Sequence, residues 1–546
     1  MQKIVHRLAN PEDPDTPKPD PKDQVSVHNV QRMHTNFVAC TNVTQHVKAG
    51  REPLKRELEK VVKAYPVPGS LIEPKKAPGV TNMKYGMTGQ FLRNSWTTFT
   101  GHSFEYTKAT GDNKKNDLSA LTGQFLGNGL PAFLKVIVVQ NQANPDRNAM
   151  GVKPNSLGLP ASSKTQEYEQ LIGKMFHILY EEKDPVAGKE PLVVKQPWKE
   201  VASLVVGFET KLTAFISSEF DNDDFRLQTD SDFLTISEMN ELTQNSLDWK
   251  VILQKALNGV KPPETIGVMD IKYLKDLDGL LNATDPKTIQ YFFAWSMIRQ
   301  LEEFLDVAHR RPFDDFYHRQ IEDQDLRNKT CASNTLEVVP DIVSHFFVPV
   351  ALPEPARAKV VEIINSILST YTKSFHSYNW LKEDTRQGAL LKLSKLGQII
   401  GYSYSGPDNR NGTSINEFYN GLKLDAQDHF GNQVRAKTFW AQVEFGKVGK
   451  DVDRKHMDDN APENNAYNSK NTNTIGFPAG RLHSPVINVG FPEYLNYAMF
   501  GMAAAHEITH AFDNTGIDYD ENGHQSVVSA DLQINSLDCC LGVLVS

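Results

Sequence analysis

The sequence predicts a mainly α-helical protein, and three stretches carry that expectation. Val360, Ile363, Ile364, Ile367, Leu368 and Tyr371 recur at three- and four-residue steps, the apolar stripe of one helix face. Asp285-Pro286 opens a second helix. Aspartate caps well, and proline suits the first turn, where its missing N–H has no partner to lose. The third is His506-Glu507-Ile508-Thr509-His510, an H-E-x-x-H pattern whose histidines share a face when the segment is helical.

At 546 residues the chain is long enough to bury a large core and to form two or more domains. Hydrophobic residues make up 39% and charged residues 23%, ordinary for a soluble globular protein. A net charge of −9 gives no ground to expect a nucleic-acid partner. No apolar run reaches the roughly 18 residues that a transmembrane helix needs. The opening MQKIVHRLANPEDPDTPKPDPKD has no hydrophobic stretch of the kind a signal peptide carries. The four cysteines, Cys40, Cys331, Cys539 and Cys540, are too few in so long a chain to read as a disulfide framework. Asn42, Asn282, Asn328 and Asn411 stand in N-x-Ser/Thr sequons, about as many as chance supplies, so they do not identify a compartment.

In chain order, residues 1–32 are rich in Pro, Asp and Lys and read as a disordered arm. A helical pattern begins at Met33 and runs through Phe37 and Cys40 to Leu54, Leu58, Val61 and Val62. Phe133 to Val139 suits a short buried strand, and a helix segment almost as well. Tyr168 to Tyr180 reads as an amphipathic helix. The helix opened by Asp285-Pro286 is expected to run from Ile289 to about Ala308, aromatic on one side. Pro353 and Pro355 mark the start of the Val360 stripe. A further helix is expected from Trp380 through Thr385, Ala389 and Lys392, closing at Gly401-Tyr402. There is no internal repeat, and the Met, Phe and Trp stripes read as core.

On a helix, His506 and His510 lie one turn apart and would aim an imidazole nitrogen each at one Zn²⁺, about 2.0–2.1 Å away. Glu507, about 100° round the helix, would reach a zinc-bound water and act as its general base. Met499 to Ala505 are small or apolar, as a buried helix leading to a metal would be. Two histidines on an ordinary helix are the plainer alternative. A metzincin is excluded, because its further ligand and glycine would fall at Gly516 and Asp513.

Around this motif stand Asn465-Ala466-Tyr467, Phe477-Pro478-Ala479-Gly480, Leu495-Asn496-Tyr497, Phe512-Asp513, Tyr519-Asp520 and Asn522-Gly523. In this order the chain resembles the neprilysin / endothelin-converting-enzyme family of zinc metallopeptidases, over roughly residues 33–523. The resemblance implies a two-lobed fold, a helical lid lobe beside a thermolysin-like catalytic lobe that is incomplete here. It implies a helical region at 33–404, a connecting region at 405–462, a zinc-peptidase region at 463–523 and a divergent tail at 524–546. Asn144-Pro145-Asp146 and Leu157 to Pro160 resemble family turns, and Leu234 to Trp249 a short helix ending in Asp-Trp.

By the same resemblance one Zn²⁺ would sit on His506 and His510, with Glu507 as base and Asp513 holding a ligand histidine from behind. Asp513 read alone is also a solvated helix-end acid. Asn465 and Ala466 resemble the pair that binds substrate backbone, although a plain turn is the other reading of that Asn-rich stretch. Where the family often has a second Tyr, this chain has Asn468. Phe477 to Gly480 would position the edge strand and turn. Cys40 and Cys331 stand at family disulfide positions, which implies Cα atoms about 4.4–6.8 Å apart and an oxidising, extracellular or secretory compartment. Cys539 and Cys540 are expected to pair with neither. The implied partners are peptides, with any membrane association through a segment outside this chain.

The family's third zinc ligand is a Glu in a Glu-x-x-x-Asp motif well beyond the second histidine, and its transition-state His and Arg come later still. Here 36 residues follow His510, and HQSVVSADLQINSLDCCLGVLVS contains no Glu. Glu521 and His524, in an Asp-Glu-Asn-Gly turn, are the later ligand candidates, and awkward ones. The expectation is therefore a neprilysin-family zinc metalloendopeptidase whose chain, as written, is truncated and inactive or weakly active. The alternative is a non-catalytic peptide- or protein-binding scaffold of that descent.

Overall fold

The computed structural model describes residues 24–72, 114–141, 144–181, 194–216, 233–320 and 323–524. Helix α1 (Gln24–Thr41) begins ahead of Met33, so the end of the expected arm is already helical. Asn42 then caps α2 (Val43–Ala49), its side chain accepting from Gln45 N–H at 3.1 Å. α3 (Glu52–Ala64) takes Pro53 in its first turn and buries Leu54, Leu58, Val61 and Val62 on one face.

Two hydrophobic cores divide the molecule. The first gathers α3, α4 (Lys114–Gly127), α5 (Thr165–Tyr180), α6 (Gln196–Thr213), α7 (Ile236–Leu242), α8 (Trp249–Ala256), α9 (Ile271–Ala283), α10 (Pro286–Leu301) and α11 (Val307–Phe316). Its sheet holds β1 (Leu134–Asn141), β2 (Asn144–Pro154), β3 (Phe233–Thr235) and β4 (Thr265–Val268) in the order β1-β2-β4-β3. β1 and β2 pair antiparallel from Leu134↔Pro154 to Gln140↔Asn148, so the strand reading of Phe133–Val139 holds. Asn144-Pro145-Asp146, expected as a turn, begins β2 instead.

α10 is the axis of this lobe. Asp285 caps it, accepting from Lys287 N–H at 2.8 Å. Its aromatics are not confined to one side. Residues 288–298 are buried without a break, as a helix central to a large core must be. It stops at Leu301 rather than near Ala308, because Asp306 accepts from Ala308 N–H at 3.0 Å and starts α11. A similar cap corrects the Leu234–Trp249 segment. A Thr235/Glu238 capping box opens α7, and Asp248 then caps α8, so Asp-Trp begins a helix and does not end one.

The second core joins α1 to α12 (Gln324–Val338), α13 (Pro340–Ala351), α14 (Glu354–Ser377), α15 (Glu383–Ser394), α16 (Gly412–Phe418) and α17 (His429–Phe445). A sheet of β5 (Gly397–Gly401), β6 (Tyr467–Ser469) and β7 (Thr474–Pro478) runs in the order β5-β7-β6, with β5 parallel and β6 antiparallel to β7. The helix expected to close at Gly401-Tyr402 ends at Ser394, and Gly397–Gly401 is strand. Gly397 lies so close to β7 that a Cβ there would meet Thr474 Cγ2 at 2.5 Å. The expected region 33–404 spans both lobes.

The chain leaves the second core after Cys40, joins the first at Leu54, and returns between Phe313 and Cys331. A Cys40–Cys331 disulfide, Cα–Cα 5.5 Å, joins these two crossings. A pocket of about 360 Å³ lies between the lobes, lined by Leu126, Val136, Phe304, Trp440 and Phe445 among others. Among the described residues no helix is long and apolar enough to cross a membrane. Cys539 and Cys540 lie outside them.

Candidate metal centre

The site is built on β7, every residue of which is buried. Phe477 packs edge-on to Phe500, ring centroids 5.2 Å apart, which docks the helix preceding the histidines onto the sheet. Gly476 leaves room for the Tyr467 ring, whose atoms a Cβ would meet at 2.1–2.4 Å. The carbonyl of Pro462 stands 2.3 Å from the place a Cβ on Gly480 would take. Phe477-Pro478-Ala479-Gly480 is thus the central strand and its turn, and β6 beside it is the edge.

The motif helix arrives as α18 (Glu493–Asn496), a π turn over Tyr497–Gly501, and α19 (Met502–His510). Ala504, Glu507 and Ile508 form its buried face. The expected burial of the whole approach is corrected: Met499 is 44% and Met502 66% exposed. Two contacts hold α19 in place. Tyr371 OH bonds Thr509 Oγ1 at 2.6 Å and Ala505 O at 3.2 Å. Asn468 Nδ2 donates to Glu507 O at 2.9 Å, tying β6 to the helix.

His506 and His510 converge, their Nε2 atoms 3.0 Å apart and their rings nearly perpendicular. A tetrahedral ion about 2.0–2.1 Å from each nitrogen would set them about 3.3 Å apart, so the pair suits a metal such as zinc. Asp513 Oδ2 meets His510 Nδ1 at 2.7 Å, fixing the ring that turns Nε2 toward His506. Its other oxygen accepts from Thr515 N–H at 3.0 Å and Gly516 N–H at 2.7 Å. Burial alone would raise the Asp513 carboxyl, but the bonds from His510, Gly516 and Thr515, with Lys470 nearby, hold it below its ordinary value. Burial pushes the Glu507 carboxyl up, against the pull of His506, His510 and Arg481.

Among the described residues no third His, Cys, Asp or Glu joins the pair. Glu521 is engaged by Lys395 at 3.1 Å, and His524 by Asp146 at 3.2 Å. Asn465 is exposed, its amide donating to Asp459 Oδ2 at 2.9 Å, and with Ala466 it leads into edge strand β6 without lying in it. Three contributors went unread in the sequence. Lys392 donates to Gly516 O and Tyr519 O, Asn473 binds Lys392 O and Glu521 O, and Asn468 binds the helix. Lys392 was visible as part of an expected helix and Asn468 as a family departure, but neither pointed to a contact.

Converging histidines on a helix, a buried glutamate between them and an edge strand alongside are the layout that HExxH metallopeptidases use. Sequence comparison agrees: the Peptidase family M13 profiles match residues 1–403 and 465–537. The chain belongs to Peptidase family M13. Endothelin-converting enzyme 1 of Rattus norvegicus is 26% identical over 422 residues, 76% of this chain and 54% of that protein. Membrane metallo-endopeptidase-like 1 of Mus musculus is 24% identical over 92% of this chain and 62% of its own length. The chain thus spans about half the length of the curated relatives it matches. In fold it is similar to the zinc metalloprotease Zmp1 of Mycobacterium tuberculosis bound to inhibitor (TM-score 0.73, 20% identity, 98% of this chain and 71% of that one). PepO from Lactobacillus rhamnosis HN001 is similar too (TM-score 0.71, 16% identity, 99% of this chain and 75% of that one).

Proposed function

We propose that His506, Glu507 and His510 form the centre of a zinc-dependent metalloendopeptidase acting on short to medium peptides. The observation that carries this reading is the convergence of the two imidazole Nε2 atoms, with Asp513 behind one of them. Bound zinc would polarise the scissile carbonyl and acidify a water. Glu507 would take the water's proton and return it to the leaving amine. The free edge of β6, led by Asn465 and Ala466, would hold peptide backbone in strand fashion. The Cys40–Cys331 disulfide supports an oxidising compartment, secretory or extracellular.

Catalytic zinc in such sites uses three protein ligands. With two among the described residues, the polypeptide 1–546 is expected to hold the ion weakly and to turn peptides over at or near background. Dialysis against zinc followed by metal analysis should find one ion per chain, lost in His506→Ala and in His510→Ala. Retention of the ion in either variant would sink the assignment of the site. A quenched fluorescent peptide tests the rate. Chelator-sensitive turnover that vanishes in Glu507→Ala would overturn the expected inactivity while supporting the peptidase reading. The second reading, a peptide-binding scaffold, is favoured by the edge strand, which needs no metal. It predicts peptide affinity unchanged by chelator.

A further inference from the structure

We propose that Lys392 is a positioning residue for the metal-facing imidazole of His510, acting through Gly516 and Asp513. This rests on the reading of His506 and His510 as metal ligands. Lys392 lies on α15, far in sequence from the motif, and is 6% exposed. Its ammonium donates to Gly516 O at 2.6 Å and Tyr519 O at 2.7 Å, and lies 5.9 Å from the Phe512 ring centroid. A buried ammonium is costly unless it is hydrogen-bonded, so these carbonyls and the lysine hold each other in place.

Gly516 continues the path through the two peptides that flank it. While its carbonyl takes the lysine, its N–H donates to Asp513 Oδ1 at 2.7 Å, and Asp513 Oδ2 meets His510 Nδ1 at 2.7 Å. Lys392, Gly516, Asp513 and His510 are therefore one continuous set of bonds. The carbonyl that takes the lysine and the N–H that faces Asp513 belong to successive peptides, so the coupling is mechanical: with the loop tied to a buried ammonium, the Gly516 N–H is held in line with Asp513. The loop has little freedom to drift. A Cβ on Gly516 would meet His510 O at 2.0 Å, so glycine alone fits there. Asn473 Nδ2 fastens the same two elements again, through Lys392 O at 3.1 Å and Glu521 O at 3.0 Å. The effect on the site is to keep the proton on His510 Nδ1 and the lone pair of Nε2 facing His506.

The test uses the full 546-residue chain with ¹⁵N-labelled histidine, read first without metal and then by zinc competition against a chromophoric chelator. Wild type should show one His510 tautomer, protonated at Nδ1. Lys392→Met should mix the tautomers and weaken zinc by about tenfold or more, the usual effect of losing a partner behind a ligand. In an Asp513→Ala background, Lys392→Met should weaken zinc less than about twofold further, because the path is already cut. An unchanged tautomer in Lys392→Met, or losses that multiply in the double variant, would overturn the proposal. If Lys392→Met does not fold, Lys392→Gln, too short to reach both carbonyls, replaces it with the same two outcomes. A chain that shows the tautomer coupling yet takes up no zinc overturns the peptidase reading and leaves the relay standing.

Discussion

Glu209, in the core of the first lobe, is 1% exposed, and its Oε2 makes no hydrogen bond. Trp295 Nε1 donates to Tyr168 OH at 2.7 Å, and Tyr168, Arg299 and the Gly158 backbone surround the carboxyl. Gly158 is packed so closely that a Cβ would meet Tyr168 OH at 2.3 Å. Burial raises the Glu209 carboxyl from its ordinary 4.5 to about 7, against the pull of Tyr168, Arg299 and Gly158. Between those values the folded chain keeps a proton that the unfolded chain has released. Stability must then fall as pH rises from about 4.5 through about 7 and level off above it. The slope is at most about 1.4 kcal/mol per pH unit for one group. Urea midpoints of wild type and Glu209→Gln, compared from pH 5 to 8, should diverge in that sense, the variant gaining relative to wild type as pH rises. Parallel curves would show that Glu209 titrates as an ordinary carboxyl.

The junction of β6 with α19 gives Asn468 a structural role. Near the end of α19, Ala511 N–H bonds back to Ile508 O at 3.2 Å, and the Glu507 carbonyl is met by Asn468 Nδ2. A side-chain amide thus satisfies one of the carbonyls that a helix leaves over at its end. Asn468→Ala should cost about 1 kcal/mol and speed amide exchange in Tyr467–Ser469, with the α19 histidines still paired. Unchanged exchange in β6 would mean that its pairing with β7 suffices. At this scale the sequence was readable where a pattern is local. The Val360 stripe gave α14, Asp285-Pro286 gave the start of α10, and the histidine spacing gave their convergence. It was not readable where a cap competes with a continuing apolar run, as Asp306 does at the end of α10. Nor was β5 readable, since Gly397–Gly401 is too short to show alternation. Lys392 reaches Gly516 across 124 residues, and no spacing rule anticipates such a contact.

At the scale of the whole molecule, two cores share one chain that passes between them near Cys40 and Cys331. The pairing of these cysteines followed from family likeness alone, because a separation of 291 residues says nothing locally. Its physical consequence is clear from the fold. The bond closes a loop that contains α3 to α11 and β1 to β4, leaving only Phe430, Phe445 and their neighbours to join the first core from outside it, and so limits how far that lobe can wander once unfolded. On a chain-entropy argument a loop this long stabilises by more than about 4 kcal/mol, and measured losses for native disulfides run about 2–5 kcal/mol. Both cysteines are buried, 2% and 0% exposed, so paired alanines leave a small apolar gap and no stranded hydroxyl. Cys40→Ala/Cys331→Ala should therefore lose about 2–5 kcal/mol. Because the cores are separate, unfolding should also lose its single step once the staple is gone. Trp198, Trp249 and Trp295 lie in the first core while Trp440 packs against the second, so in a Trp380→Phe/Trp440→Phe background, used for both the disulfide-bonded and the paired-alanine chain, tryptophan fluorescence follows chiefly the first lobe, while circular dichroism reports both. In urea the two signals should coincide for the disulfide-bonded chain and separate in the paired variant. Coincident curves with an unmoved midpoint in the variant would mean that packing between the lobes, and not the disulfide, couples them.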